Sequence, residues 1–336
     1  MRYYFDRLNS LEKKAYTRIK DAIEKHEDAM DVFRPSVSIA SLESIVKAIS
    51  YDCPELFFVD FTKTNFYESG MKITVCPQYI YNKMMLPRAA ELIDERVKSI
   101  LDDITRNNYS SDYDKALWLH DYFIQHTTYD HTEALGARVN KASHSAAGVL
   151  LENKAVCEGI AKAFTLLLGR LNIHAITVYG RSNSPIASVE DHAWNTVKLG
   201  GKFYHVDMTW DITLSKSFNQ IRHDYFCLDD TEISKDHFFK NIGITCESLE
   251  LNYYKKTERY IKGKKHLNEF LKGQILKGEK NICFKVMRSP NVGENINAVV
   301  QDTLETAVSN YMVGSYQYTI TPNDSQLVYG INFCTN

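Results

Sequence analysis

The feature that most constrains this fold is a two-glycine turn, Gly200-Gly201, set between the runs DHAWNTVKL (191–199) and KFYHVDMTWD (202–211). Two such residues between apolar-alternating runs specify a hairpin whose central residues take positive φ. A two-residue loop also fixes the register. Leu199 faces Lys202, and counting outward sets Asp207 opposite Trp194 and His192 opposite Thr209. His192 and Asp207 then become diagonal neighbours on one face, with backbones about 7–8 Å apart, a gap that side chains close. A slip of one residue would send them to opposite faces. His205, two residues before Asp207, shares that face and competes for the same carboxylate.

Upstream, LLENKAVCEGIAKAFTLLLGRL (150–171) carries Val156, Ile160, Ala163, Phe164, Leu167 and Leu171 at helical spacing, with Cys157 beside that stripe in the first turn. A helix N-terminus bears partial positive charge and free N–H groups, and both favour a thiolate over a thiol. The backbone N–H of Cys157 would face a carbonyl oxygen attacked by its sulfur, which is half of an oxyanion hole. Gly159 leaves room for a neighbouring chain to approach closely. Alone, a cysteine on an apolar helix is more often a core residue. The hairpin shifts that balance. An Asp accepting one ring N–H of a His fixes its tautomer and leaves the other nitrogen for a thiol. Thiol, base and orienter are the parts of a cysteine nucleophile site.

Composition narrows the alternatives. With a net charge of −2 and no basic block, a nucleic-acid role has no electrostatic support. The seven cysteines are dispersed and contain no CxxC pair, which argues against a disulfide framework and a thiolate zinc site. His120, His126 and His131 do not stack on one helical face, so no metal site is expected there. No apolar run reaches the ~18–20 residues of a membrane span. The start, MRYYFDRLNSLEKK, lacks the apolar core of a secretion signal, so the chain as written reads as cytoplasmic. Removal of a leader would leave the same sequence on a secreted or cell-surface protein.

A chain of 336 residues is long for one core, and three units are expected. Residues 1–108 read as a small α+β module: a helix over 9–26 opened by an Asn9/Glu12 capping pair, a second over 39–50, a hairpin broken at Glu68-Ser69-Gly70, and a helix over 86–106. This module has no clustered catalytic side chains. Residues 109–246 form the core, opened by a Ser111/Asp114 capping pair. A strand at 174–180, a loop at 181–190 and the hairpin over 191–210 follow the cysteine helix. His223 and His237 flank DYFCLDD, and a surface position accounts for them equally well. Residues 247–336 read as a second α+β module, with a Lys-rich helix near 256–272, a strand at 281–287, a helix near 294–310 and a strand pair around Tyr316–Phe333.

The stretches WLHDYFIQHTTYD, SAAGVLLENKAVCEGIAKAFTLLLGRLNI, DHAWNTVKLGGKFYHVDMTWD and, more loosely, DYFCLDDTEISKDH resemble the transglutaminase-like cysteine enzyme superfamily, in its bacterial, peptidase-like branch. The resemblance covers about 118–237. It implies a papain-like α+β core with the Cys helix packed on an antiparallel sheet. It also implies Cys157 as nucleophile, His192 rather than His205 as base, and Asp207 as orienting acid. Tyr129 is the implied second oxyanion donor. No calcium loop, metal or cofactor is implied. The implied activity is a thiol hydrolase, a peptidase or amidase acting on a peptide or other amide through a thioester. Amine transfer by the same triad, as in a protein-glutamine transglutaminase, is the alternative. A non-catalytic binding or scaffold protein on the same fold is a third reading, and the flanking modules are the natural seats of a protein partner.

Overall fold

The computed structural model describes residues 2–34, 37–136, 140–183, 190–240, 242–288, 295–312 and 316–335. At its centre an antiparallel sheet runs in the order His237–Phe238, Ala175–Ser182, Glu190–Leu199, Lys202–Val206, Phe226–Leu228. The helix Cys157–Arg170 packs on this sheet, giving the expected α+β core. Polar pins set their relative position. Asn195 Nδ2 donates to the Ala161 carbonyl at 3.0 Å and to Thr165 Oγ1 at 2.9 Å, and Thr165 Oγ1 meets Thr177 Oγ1 at 3.0 Å. Of the loop expected over 181–190, residues 184–189 lie outside the described residues.

The hairpin takes the register its turn demands. Gly200 and Gly201 have φ of 56° and 84°, and the ladder runs from Leu199↔Lys202 to Asn195↔Val206. It stops there, short of the hairpin expected over 191–210. Asp207 leaves the sheet and caps the helix Met208–Phe218, its Oδ1 accepting the Thr209 N–H at 2.9 Å and the Trp210 N–H at 3.2 Å. Satisfying two otherwise orphaned helix donors outweighs extending the ladder. Thr209 is therefore helical and does not face His192.

The cysteine helix opens at Val156, an extended N-cap with no side-chain cap. The Val156 N–H is instead taken by Ser143 Oγ at 3.1 Å, bringing the 140–145 segment across the helix start. Gly159 is what permits the crossing, because a Cβ there would lie 2.2 Å from the Ser143 carbonyl oxygen and 2.9 Å from that of Ser145. Gly159→Ala must push backbone aside and is expected to cost about 1–3 kcal/mol or more. Urea unfolding measures this, and unchanged stability would contradict the crossing.

Residues 1–108 pack into the same apolar cluster as the core, which runs without interruption from Ala15 to Cys227. The helix Ser10–Glu24 carries both halves of the Asn9/Glu12 capping box, and Ile39–Asp52, the hairpin Val59–Ser69/Lys72–Tyr79 and the helix Leu86–Arg106 follow. Ser111 Oγ accepts the Asp114 N–H at 3.1 Å to open the helix Asp112–His126. The last unit has its own apolar cluster and a four-stranded sheet, ordered Tyr260–Ile261, Asn281–Val286, Val328–Thr335, Tyr316–Asn323. The single helix expected near 256–272 is split into Tyr253–Lys256 and Lys264–Leu276, because Glu258 at φ 59° and Gly263 at φ 158° interrupt the helical path.

Candidate active site

Cys157 begins its helix half-buried, while His192 is 6% and Asp207 0% exposed. His192 Nε2 donates to Asp207 Oδ2 at 2.7 Å, which leaves Nδ1 as the nitrogen on offer to Cys157, a hydrogen-bond partner of the same ring. The ring is clamped by Trp194, stacked with centroids 5.9 Å apart, and by Trp210 at 6.0 Å. Burial works against charge on the ring. The Asp207 carboxylate outweighs it, Cys157 adds to it, and the His192 pKa is pushed up to about 10. Burial also penalises the Asp207 carboxylate, but His192 and then His237 hold it well below the usual carboxylate range.

His205 is occupied elsewhere: its Nδ1 accepts from Trp194 Nε1 at 3.1 Å and its Nε2 donates to Asp230 Oδ1 at 2.8 Å. It thereby holds the tryptophan that stacks on His192. The second histidine on Asp207 is His237, whose Nε2 lies 2.9 Å from the same Oδ2 that His192 uses. Of the two positions open to His237 and His223, the structure has both buried and neither at the surface. His223 Nε2 bonds Asp121 Oδ1 at 2.8 Å and its ring stacks on Tyr253. Nothing local marks His237: it reaches Asp207 only because the short strand His237–Phe238 pairs beside Ala175–Ser182.

Tyr129 sits on the strand Thr128–Tyr129, which pairs in parallel with Lys154–Ala155 and sets Tyr129 against Ala155, just ahead of Cys157. Burial, then the neighbouring Cys157, raises its hydroxyl pKa, so the group remains an O–H donor at neutral pH. Glu158, next to Cys157, is ion-paired with Lys162 at 2.8 Å and His144 at 3.2 Å. Burial opposes its charge, but Lys162 and His144 prevail and hold its pKa down to about 2. The helix Ile39–Asp52 adds groups that the sequence did not single out: Ser50 Oγ lies 3.5 Å from Glu158 Oε1, and Lys47 Nζ sits 3.1 Å over the Tyr179 ring. Three clusters of described residues bring metal-ligand atoms together: His120/Asp121/His223, His192/Asp207/His237 and His205/Asp230/Cys246. In the first two, hydrogen bonds between ring nitrogens and carboxylates already join the members, and in the third His205 Nε2 bonds Asp230 Oδ1 while Asp230 Oδ2 accepts the Cys246 backbone N–H.

Comparison with known proteins finds similarities of three kinds. Residues 98–208 match the family model of the transglutaminase-like superfamily, a span containing Tyr129, Cys157, His192 and Asp207. The chain is 24% identical over 215 residues to kyphoscoliosis peptidase of Mus musculus, covering 58% of this chain and 32% of that protein. It is 26% identical over 168 residues to kyphoscoliosis peptidase of Homo sapiens, covering 44% and 25%. The chain thus spans about a third or less of the length of these curated relatives. A solved structure described as a TGase is similar over 44% of this chain and 43% of its own, at 20% identity and a TM-score of 0.31. Residues 98–208 of the chain thus carry a transglutaminase-like region.

Proposed function

We propose that the chain is a thiol hydrolase, a peptidase or amidase, with Cys157 as nucleophile, His192 as base and Asp207 as orienter. The observation that carries this reading is the His192 ring, bonded through Nε2 to a buried Asp207 and partnered on its other side by Cys157. A ring kept charged to about pH 10 supports negative charge on the adjacent sulfur, at a helix N-terminus with no side-chain cap. In the proposed reaction Sγ attacks the amide carbonyl carbon and a C–S bond forms. The oxyanion takes hydrogen bonds from the Cys157 backbone N–H and the Tyr129 hydroxyl. Collapse breaks the C–N bond as imidazolium donates its proton to the departing amine. Neutral His192 then takes a proton from water, whose oxygen displaces the thioester sulfur and releases the acid. The relatives named peptidases favour water over an amine as acceptor.

The test uses iodoacetamide on the full chain at pH 6.5, with each cysteine read by mass spectrometry. Cys157 is expected to react at least about 10-fold faster than the half-buried Cys76 and the exposed Cys334. Uniform labelling would sink the reading. A labelled primary amine carried into a glutamine-bearing protein, with no hydrolysis, would move the function to amine transfer.

A further inference from the structure

We propose that His237 is a positioning residue of this site, holding the Asp207 carboxylate in the orientation that His192 requires. The inference rests on Cys157 and His192 being the reactive pair. Asp207 is fully buried and surrounded by four donors: the Thr209 and Trp210 N–H groups on Oδ1, and His192 and His237 on Oδ2 at 2.7 and 2.9 Å. The first two anchor the carboxylate to its helix but leave Oδ2 free to turn. His237 is the second donor on Oδ2, its ring centroid 5.4 Å from that of His192.

His237 is itself held on every side. Its Nδ1 lies 2.6 Å from Asp236 Oδ1, so each ring nitrogen faces a carboxylate. Asp236 is fixed in turn by the Tyr225 hydroxyl at 2.7 Å and by Gln326 Nε2 at 3.2 Å, the latter from the turn between Tyr316–Asn323 and Val328–Thr335. Trp210 at 4.6 Å and Trp194 at 4.9 Å wall the ring, which is 1% exposed. Gly180 keeps the short strand close, since a Cβ there would meet the Phe238 carbonyl oxygen at 2.5 Å and Trp194 Cη2 at 2.7 Å. The order Cys157, His192, Asp207, His237, Asp236 thus alternates acidic and basic groups from the half-buried thiol inward.

Two conservative variants separate positioning from packing. In His237→Gln the amide Nε2 stands where the ring Nε2 did and still donates to Asp207. In His237→Asn the shorter amide reaches Asp236 only. The readout is the rate of Cys157 alkylation by iodoacetamide at pH 6.5, with buried Cys53, Cys227, Cys246 and Cys283 as monitors of folding. His237→Asn is expected to slow Cys157 about 10-fold, about 1.4 kcal/mol, while His237→Gln stays within about threefold of the parent, both with the monitors silent. Equal rates in parent and His237→Asn would overturn the proposal, as would equal losses in both variants. His192→Ala is measured alongside. If it too leaves Cys157 unaffected, the nucleophile reading fails; if it slows Cys157 and His237→Asn does not, only the role of His237 fails.

Discussion

Replacing His192 by Ala is expected to cut the rate of Cys157 alkylation at pH 6.5 by about 100-fold and to make it steeply dependent on pH. A thiol reacts through its thiolate, and loss of a neighbouring cation takes away the group that stabilises that anion. In the parent the His192 ring stays charged until about pH 10, because Asp207 and Cys157 outweigh the cost of burial. The parent therefore keeps its imidazolium partner between pH 6.5 and 9, and the variant has none at any pH in that interval. Hydrolysis of any amide substrate should fall further than alkylation, since the leaving amine also loses its proton donor. A variant that tracks the parent at every pH would remove His192 from the site.

Asp207→Ala carries the largest expected cost to stability. It strips the Met208–Phe218 helix of its cap and leaves two buried histidines without their shared acceptor. Breaking a buried charged network in this way costs about 3–5 kcal/mol, which for a unit of this size lowers the melting temperature by roughly 6–20 °C. The sign with pH follows from the two shifts. The carboxylate is held below its ordinary value of about 3.9, so its contribution is present above that pH and lost as pH falls through the depressed native value. The His192 pKa is raised above about 6.5, so its contribution is complete below that pH and lost as pH rises toward about 10. Scanning calorimetry should find the gap between parent and variant widest from about pH 4 to 6.5. A gap independent of pH would mean that the loss is one of helix capping alone.

Much of this site was legible because its signals are local. The Gly200-Gly201 turn dictates a register that runs to Asn195↔Val206 and leaves His192 and Asp207 just beyond the end of the ladder. The apolar stripe after Val156 marks a helix whose first residue is Cys157. The point at which the hairpin ends was not legible, since an Asp in an extended run looks the same whether it continues a ladder or caps a helix. Only the competition between those two backbone arrangements, resolved here by the Thr209 and Trp210 N–H groups, decides it. Likewise His205 and His237 are both histidines near an Asp, and nothing in their spacing says which one reaches Asp207.

The sequence by itself determined the local elements: the cysteine at a helix start, the hairpin and its register, the capped N-terminal helix and the α+β class. Each rests on interactions between residues a few positions apart. The tertiary structure alone decided that His237 shares Asp207 with His192, that His205 instead steadies Trp194, and that the helix Ile39–Asp52 brings Ser50 to Glu158. Those contacts join residues 11 to 108 positions apart. They form only once the apolar cluster from Ala15 to Cys227 has packed and excluded water from the polar groups between its elements.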